Sequence, residues 1–394
     1  NEIDYPNDPY CHPLFETMTG NNDANKPAKE RQYDPNKPNA ERLSVIAKEL
    51  AAIVRTQDTT RPVTLAAAFP ELSSHIGFFD ALDVVGYNYK EHLYEESHKR
   101  FPDKPFLGSE NGGGYEQWCA VRDNAYISGQ FLWTGIDYLG EANWPQRSAG
   151  CGCLDTCGFE KDAFYFYKSV WNQNEKFAYL CPHWNLKLEK GTVLPVICYT
   201  NCEDAELFVN GRSFGVKSKG FPCYGMTERY GHFDRYRRPA NTDDLFLSWD
   251  VPYEPGKIEV VGYHDGKEVC RYNVETTGEA AAIKLTVDKT SVDADGRSVV
   301  QAEIRIVDSK GRIVLDANPQ LDFALEGDGE IIGIDNGDPA CHEQWKETKG
   351  RHAFNGMAYA IIRAGQTTGK LKLTVSGAGK DASLGTKTAV IEQK

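Results

Sequence analysis

The change of pattern near residue 172 constrains the fold of this chain more than any other feature of its sequence. Before that point, short apolar runs alternate with stretches of helical spacing, and after it strand-like runs follow one another with short turns between them. The first part predicts strands at 61–69, 83–89 and 129–138, a further strand that begins at Phe106, and helices over 39–55, 73–82, 93–101, 115–127 and 162–171. Such alternation is typical of βα units around a parallel sheet, either an open doubly wound sheet or part of a barrel. The strand-to-helix turns carry no Gly-rich phosphate loop, which disfavours a nucleotide-binding fold.

The second part of the sequence reads as two β-sandwich domains of about 100 residues each. Turn signals stand at Asn210-Gly211 and Asp265-Gly266, and the stretch 272–282 is the expected junction between the two domains. The predicted domains are therefore 1–172, 173–277 and 278–394.

Composition excludes several classes of partner. The formal net charge of -13 argues against nucleic acid, because binders of polyanions need a basic surface. No run of eighteen apolar residues is present, so we expect no membrane span. Eleven cysteines favour a reducing compartment, and Cys151, Cys153 and Cys157 lack the paired spacing of a structural zinc site, although a metal or a disulfide there stays open.

Two carboxylates lie at positions in the sequence where a parallel sheet would carry catalytic residues. Glu110 follows the apolar run at 106–107 and precedes Asn111 and three glycines, a position at the mouth of a parallel sheet. Glu2 follows Asn1 at the start of the sequence, and Tyr87, Tyr89 and Trp133 end two further predicted strands. A pair of carboxyl groups beside aromatic rings suits glycoside hydrolysis. The alternatives are that Tyr87 and Trp133 belong to the core and that Glu2 lies in a loosely held terminus.

Several strings together resemble the second half of the catalytic barrel of family 2 glycoside hydrolases, the group that contains bacterial β-galactosidases. They are NEIDYPNDPY, DVVGYNY, FLGSEN, GQFLWTGIDYLGE, WPQRSAGCGCLDTCGF and KDAFYFYKSVW. The resemblance implies the C-terminal half of a (β/α)8 TIM barrel, followed by two immunoglobulin-like sandwich domains.

The same resemblance implies roles for individual residues. Glu2 would be the acid/base and Glu110 the nucleophile, while Asn1 would contact the sugar 2-hydroxyl. Tyr89 would bond the nucleophile and Trp133 would form the floor of the sugar subsite. Further substrate-binding candidates are Asn88, Asp137 and Glu141, although the last two could equally brace their loop.

The expected function is that of a retaining exo-β-glycosidase, with β-galactosidase as the leading interpretation. A β-glucuronidase is the nearest rival within the family, but no Asn-x-Lys element follows the eighth strand to hold a uronate. A non-catalytic carbohydrate-binding or interaction fragment is the alternative from another class. We expect a carbohydrate substrate, no cofactor and no metal held by this chain unaided. The compartment is unresolved, because the resemblance favours the periplasm and the thiols do not.

A full barrel takes about 250 residues, so residues 1–172 would supply only part of its wall. We therefore expect an N-terminal half of the same polypeptide to complete the barrel, with a second polypeptide as the alternative, and we expect the 394-residue chain to be inactive alone.

Overall fold

A computed structural model describes residues 1–4, 10–16, 33–218, 246–346 and 348–394. The described chain divides into two compact units, residues 1–134 and residues 135–394.

The first unit is built on a parallel sheet whose four strands neighbour one another in chain order. The strands are β1 (Ala66–Ala67), β2 (Val85–Asn88), β3 (Phe106–Asn111) and β4 (Ile127–Leu132). The α-helices are α1 (Arg42–Gln57), α2 (Pro70–Ser73), α3 (Tyr94–Arg100) and α4 (Tyr115–Arg122), and short 3-10 turns lie at Pro13–Glu16, Phe78–Ala81 and Glu91–Leu93. The predicted alternation of strands and helices in this region is confirmed. Closure of the sheet into a barrel stays a prediction.

Aromatic rings fill the space beneath the sheet. Tyr87 of β2 is wholly buried and lies 5.6 Å from Phe106 of β3, 5.7 Å from Phe79 and 5.9 Å from Tyr94, measured between ring centroids. Tyr87 is therefore a core residue, the alternative that the sequence had left open.

The helix predicted over 73–82 is wrong, because the chain forms two short helical segments there instead. The α2 helix ends at Ser73, and a 3-10 turn begins at Phe78. Between them Gly77 has a φ of 72°, in the left-handed region, which an α-helix cannot contain.

The second unit begins with a short hairpin and one helix before its two sandwiches. The hairpin pairs β5 (Tyr138–Leu139) with β6 (Ser148–Ala149), and the helix is α5 (Asp162–Trp171).

Two sheets form the first sandwich and share one hydrophobic core between residues 178 and 260. Its strands are β7 (Ala178–Cys181), β8 (Val193–Thr200), β9 (Asp204–Val209), β10 (Arg212–Ser218), β11 (Phe246–Pro252), β12 (Lys257–His264) and β13 (Lys267–Glu275). They are ordered β11-β8-β7 in one sheet and β10-β9-β12-β13 in the other.

The second sandwich has a separate core between residues 283 and 391. Its strands are β14 (Ala282–Val287), β15 (Ser291–Val292), β16 (Val299–Val307), β17 (Gln320–Glu326), β18 (Gly329–Asp335), β19 (Gly350–His352), β20 (Met357–Ala364), β21 (Gly369–Gly377) and β22 (Thr386–Gln393). The sheets are ordered β14-β16-β20-β18 and β15-β22-β21-β17-β19, and a 3-10 turn at Gly379–Leu384 precedes the last strand.

The predicted hairpin turns are confirmed. Asn210 and Gly211 have φ values of 49° and 82°, and Asp265 and Gly266 have values of 49° and 71°, as tight hairpin turns require. The segment between β13 and β14 coincides with the expected junction. The domain boundaries at 172 and 277 stay predictions. In the described part of the chain, every helix is too short or too polar to cross a membrane.

Candidate active site

Glu110 lies near the carboxyl end of β3, where the sequence placed it. It is half-buried and is the register partner of Asn88 at the end of the neighbouring strand β2. The next residue along β2, Tyr89, donates its backbone N–H to the Glu110 carbonyl oxygen at 2.8 Å. The carboxylate therefore emerges from a strand end whose backbone is hydrogen-bonded to its neighbour.

Glu2 approaches the same strand ends from the side of β1. Its backbone N–H donates to the carbonyl oxygen of Ala66 at 2.9 Å. Its side chain accepts a hydrogen bond at Oε1 from the Asn88 amide nitrogen at 3.1 Å. Although it is the second residue of the sequence, Glu2 is thus held both by its backbone and by its carboxylate.

Asn88 connects the two carboxylate-bearing segments. Its side chain is 1 % exposed, and its Nδ2 donates to Asn1 Oδ1 at 3.3 Å as well as to Glu2. Its Oδ1 accepts from the hydroxyl of Ser109, which directly precedes Glu110, at 2.8 Å. A chain of hydrogen bonds therefore runs from Ser109 on β3 through Asn88 to Glu2.

Asp4 anchors the segment that carries Glu2. Its buried carboxylate accepts hydrogen bonds from the backbone N–H groups of Ala68 at 3.0 Å and Phe69 at 2.9 Å, and from the Ser73 hydroxyl at 3.0 Å. Burial raises the pKa of the Asp4 carboxyl, and these hydrogen bonds oppose that rise. The sequence analysis missed Asp4, although an acid two residues after a catalytic candidate was a usable signal.

Aromatic side chains follow the strands on both sides of Glu110. Tyr89 is 43 % exposed beyond β2, and Trp133 is 40 % exposed beyond β4. The Trp133 backbone N–H donates to the carbonyl oxygen of Asn111 at 3.0 Å, and the buried Asn111 side chain donates to Gln130 Oε1 at 2.8 Å. Both exposed rings are consequently attached to backbone that is fixed to β3.

Gly108 makes room for this arrangement. A Cβ at residue 108 would lie within 2.8 Å of the Asn111 side-chain amide, too close for any larger residue without displacing it. The glycine in the predicted strand FLGSEN therefore has a packing role next to the candidate nucleophile.

Asp137 and Glu141 belong to the second unit, and their side chains are engaged there. Asp137 is buried and accepts from Lys161 Nζ at 2.9 and 3.1 Å and from the Gly152 N–H at 2.7 Å. Glu141 accepts a hydrogen bond from the Tyr138 hydroxyl. These contacts favour the bracing alternative, and substrate binding by the two residues stays a prediction.

Potential metal ligands come together at one hairpin in the described residues. Glu203, His264 and Asp265 offer ligand atoms that all lie within 4.8 Å of one another. The Glu203 carboxylate accepts from the Asp265 N–H at 3.0 Å and lies 3.2 Å from His264 Nδ1, so hairpin stabilisation accounts for its position. The cysteines at 151, 153 and 157 form no such group within the described ranges.

The chain is similar to several known proteins. Residues 283–384 match the glycoside hydrolase family 2 C-terminal domain 5, and residues 191–270 match a domain of unknown function (DUF4982). The chain is 33% identical over 386 residues to the β-galactosidase BoGH2A of Bacteroides ovatus, covering 85% of this chain and 42% of that protein. It is 30% identical over 253 residues to a putative β-glucuronidase of Formosa agariphila, covering 63% of this chain and 22% of that protein.

Solved structures give the same result. A glycosyl hydrolase family 2 member from Bacteroides cellulosilyticus matches with a TM-score of 0.77 and 28% identity, over 90% of this chain and 47% of that chain. A β-glycosidase from Bacteroides vulgatus matches with a TM-score of 0.71 and 25% identity, over 88% of this chain and 49% of that chain. The sequence thus spans less than half the length of these relatives. The chain therefore matches the C-terminal portion of glycoside hydrolase family 2 proteins.

Proposed function

We propose that this chain carries the catalytic pair of a retaining exo-β-glycosidase, with Glu110 as nucleophile and Glu2 as acid/base. The observation that supports it is the position of Asn88, which bonds the Glu2 carboxylate and is the register partner of Glu110. Two carboxyl groups on either side of one strand end suit double displacement, which requires a separation of roughly 5 to 5.5 Å. The activity would belong to the whole polypeptide, in which the parallel sheet forms part of a (β/α)8 barrel and the sandwiches are immunoglobulin-like.

The two acids have distinct roles in this mechanism, and the hydrogen bond from Asn88 orients one of them. The Glu110 carboxylate attacks the anomeric carbon while Glu2 donates a proton to the leaving oxygen, and Glu2 then removes a proton from the water that releases the sugar. Because the Asn88 amide donates to Glu2 Oε1, that oxygen acts as an acceptor and the acid proton resides on Oε2. The exposed face of Trp133 would pack on a C–H face of the sugar ring, and the Tyr89 hydroxyl would donate to the Glu110 carboxylate.

A terminal β-galactoside is the proposed substrate, and a β-glucuronide is the second candidate. A relative that matches over 85% of this chain is named a β-galactosidase, whereas one that matches over 63% of it is named a putative β-glucuronidase. A uronate carboxylate needs a cation to bind it. Lys90, which follows Tyr89, is already paired with Glu71 at 2.8 Å, and this pairing favours a neutral sugar over a uronate. The ratio of kcat/KM values for nitrophenyl β-galactoside and β-glucuronide on the full-length polypeptide distinguishes the two.

The roles of the two acids are tested by Glu110→Gln and Glu2→Gln in the full-length polypeptide. The first change should lower kcat on an aryl β-galactoside by at least about 10³-fold, because no covalent intermediate can form. The second should lower kcat/KM far less on a dinitrophenyl glycoside, whose leaving group needs no proton, whereas kcat should still fall because Glu2 also activates the water of the second step. Glu95→Gln on the exposed surface of α3 is the matched control. Wild-type turnover by Glu110→Gln would show that the nucleophile is another residue.

A further inference from the structure

Two cysteine sulfurs meet inside the first sandwich. The Sγ atoms of Cys202 and Cys270 are 3.5 Å apart, although the residues are 68 positions apart in the sequence. Cys202 lies just before β9, and Cys270 lies on β13, with β12 between these two strands in the sheet. Neither thiol is in a disulfide in this structure.

A glycine on the intervening strand allows the two sulfurs to approach. Gly262 of β12 is the register partner of Cys270 on one side and of Ala205 on the other. A Cβ at residue 262 would lie 2.6 Å from both sulfur atoms. The sulfurs therefore occupy the space that a side chain would need, and each lies directly across β12 from the other.

Metal binding does not account for this pair. Within the described residues, the cluster of three close ligand atoms is the one at Glu203, His264 and Asp265, and the two thiols are not part of it. Tetrahedral zinc sites need three or four protein ligands, so two sulfurs alone do not form one.

We propose that Cys202 and Cys270 form an intramolecular disulfide when the protein meets a low-molecular-weight disulfide such as oxidised glutathione. Exchange begins at Cys270, which is partly exposed, whereas Cys202 is 1 % exposed. The Cys270 thiolate attacks the reagent and releases one reduced thiol. Cys202 then loses its proton, displaces the second thiol from the mixed disulfide and closes the Cys202–Cys270 bond. Two protein thiols are oxidised and one disulfide reagent is reduced to two thiols.

Bond formation requires the two sulfurs to close from 3.5 Å to about 2.05 Å. The hydrogen bond with Cys202 and burial both raise the pKa of the Cys270 thiol, so little thiolate is present at neutral pH. Exchange should therefore be slow near pH 7 and faster at higher pH.

The bond would tie the segment before β9 to β13 and enclose the chain between residues 202 and 270. Closing a loop of that length restricts the unfolded chain strongly, so the oxidised sandwich should unfold at a higher temperature, by about 5 °C or more. The buried pair would thus act as a covalent brace in an oxidising compartment and as packed thiols in a reducing one.

Mass spectrometry of the intact polypeptide tests the proposal. The protein is incubated with oxidised glutathione, alkylated without reduction and digested. A peptide pair linked through Cys202 and Cys270 is expected in the wild type and in Cys181→Ser, a change at a buried cysteine on β7 of the same sandwich. The pair should be absent in Cys270→Ser, which should also lose the shift in unfolding temperature.

The exposed Cys151 serves as an internal check that the oxidant has acted. If Cys151 carries glutathione while Cys202 and Cys270 are both alkylated, the proposal is overturned. A bond from Cys202 to Cys198 instead of Cys270 would overturn it as well. Equal unfolding temperatures for the linked and reduced wild type would refute the bracing role.

Discussion

Removal of the Asp4 carboxylate should destabilise the first unit and release Glu2. In Asp4→Ala the backbone N–H groups of Ala68 and Phe69 lose their acceptors, which lie at 3.0 and 2.9 Å in the native protein. Ser73 keeps a partner, because its hydroxyl also donates to the Phe69 carbonyl oxygen at 3.1 Å. The cost therefore arises from two buried donors rather than three.

The magnitude follows from that count. Each buried donor left without a partner costs about 1–3 kcal/mol of unfolding free energy, so two donors cost roughly 2 to 6 kcal/mol. Water that enters the space left by the carboxylate can bond one of the donors, so we expect a loss of about 3 kcal/mol. Asp4→Asn keeps one acceptor oxygen and should cost about half as much. Asp103→Asn, at an exposed turn position, should leave the free energy of unfolding close to the wild-type value.

Urea unfolding of the three variants measures the ranking, and hydrogen exchange at the Ala68 and Phe69 amides localises it. Both amides should exchange faster in Asp4→Ala, and the same change in the full-length polypeptide should reduce kcat because Glu2 loses its anchor. A wild-type unfolding midpoint together with unchanged protection of the two amides would refute the reasoning.

Two further predictions concern one hydrogen bond and one ion pair. Asn88→Ala removes the donor to Glu2 Oε1 and should lower kcat of the full-length polypeptide roughly 10- to 100-fold with little change in KM; an unchanged kcat on an aryl glycoside would contradict the orienting role. The Arg312 guanidinium beside Asp308 holds the pKa of that carboxyl well below its usual range. The stabilisation by this ion pair is therefore present above the ordinary carboxyl pKa of about 4 and is lost as the pH falls below it. Asp308→Asn should flatten the fall in unfolding temperature between pH 5 and 2, and a slope identical to the wild type would argue against it.

The features that the sequence predicted correctly depend on local pattern. Alternating apolar runs and helical spacing located the four parallel strands of the first unit, and the Asn-Gly and Asp-Gly pairs located two hairpin turns. The position of Glu110 near the end of β3 was predicted for the same reason, because a carboxylate after a buried run with glycines behind it marks a strand end. Each of these signals lies within a few consecutive residues.

The features that the sequence did not predict depend on contacts between distant residues. The sequence suggests Asn88 as a substrate ligand, and it gives no sign of the hydrogen bonds to Asn1 and Glu2, which join positions more than 80 residues apart. The two members of the Cys202–Cys270 pair are 68 residues apart in the sequence. The glycine that lets their sulfurs approach, Gly262, lies on a third strand. Spacing rules carry no information on such pairs, because the sheet register brings them together.

The contacts of Glu2 show why position in the sequence is a weak guide to rigidity. A residue so near the start of a sequence is expected to fray, and fraying would remove the candidate acid/base from the site. Here the Glu2 backbone bonds Ala66, its carboxylate bonds Asn88, and two residues later Asp4 is bound by the backbone of Ala68 and Phe69. All of these partners lie on the strand ends of the sheet that carries Glu110 or directly after them. The same elements that position the candidate nucleophile therefore hold the candidate acid, so a change that loosens β1 or β2 should affect both catalytic steps together.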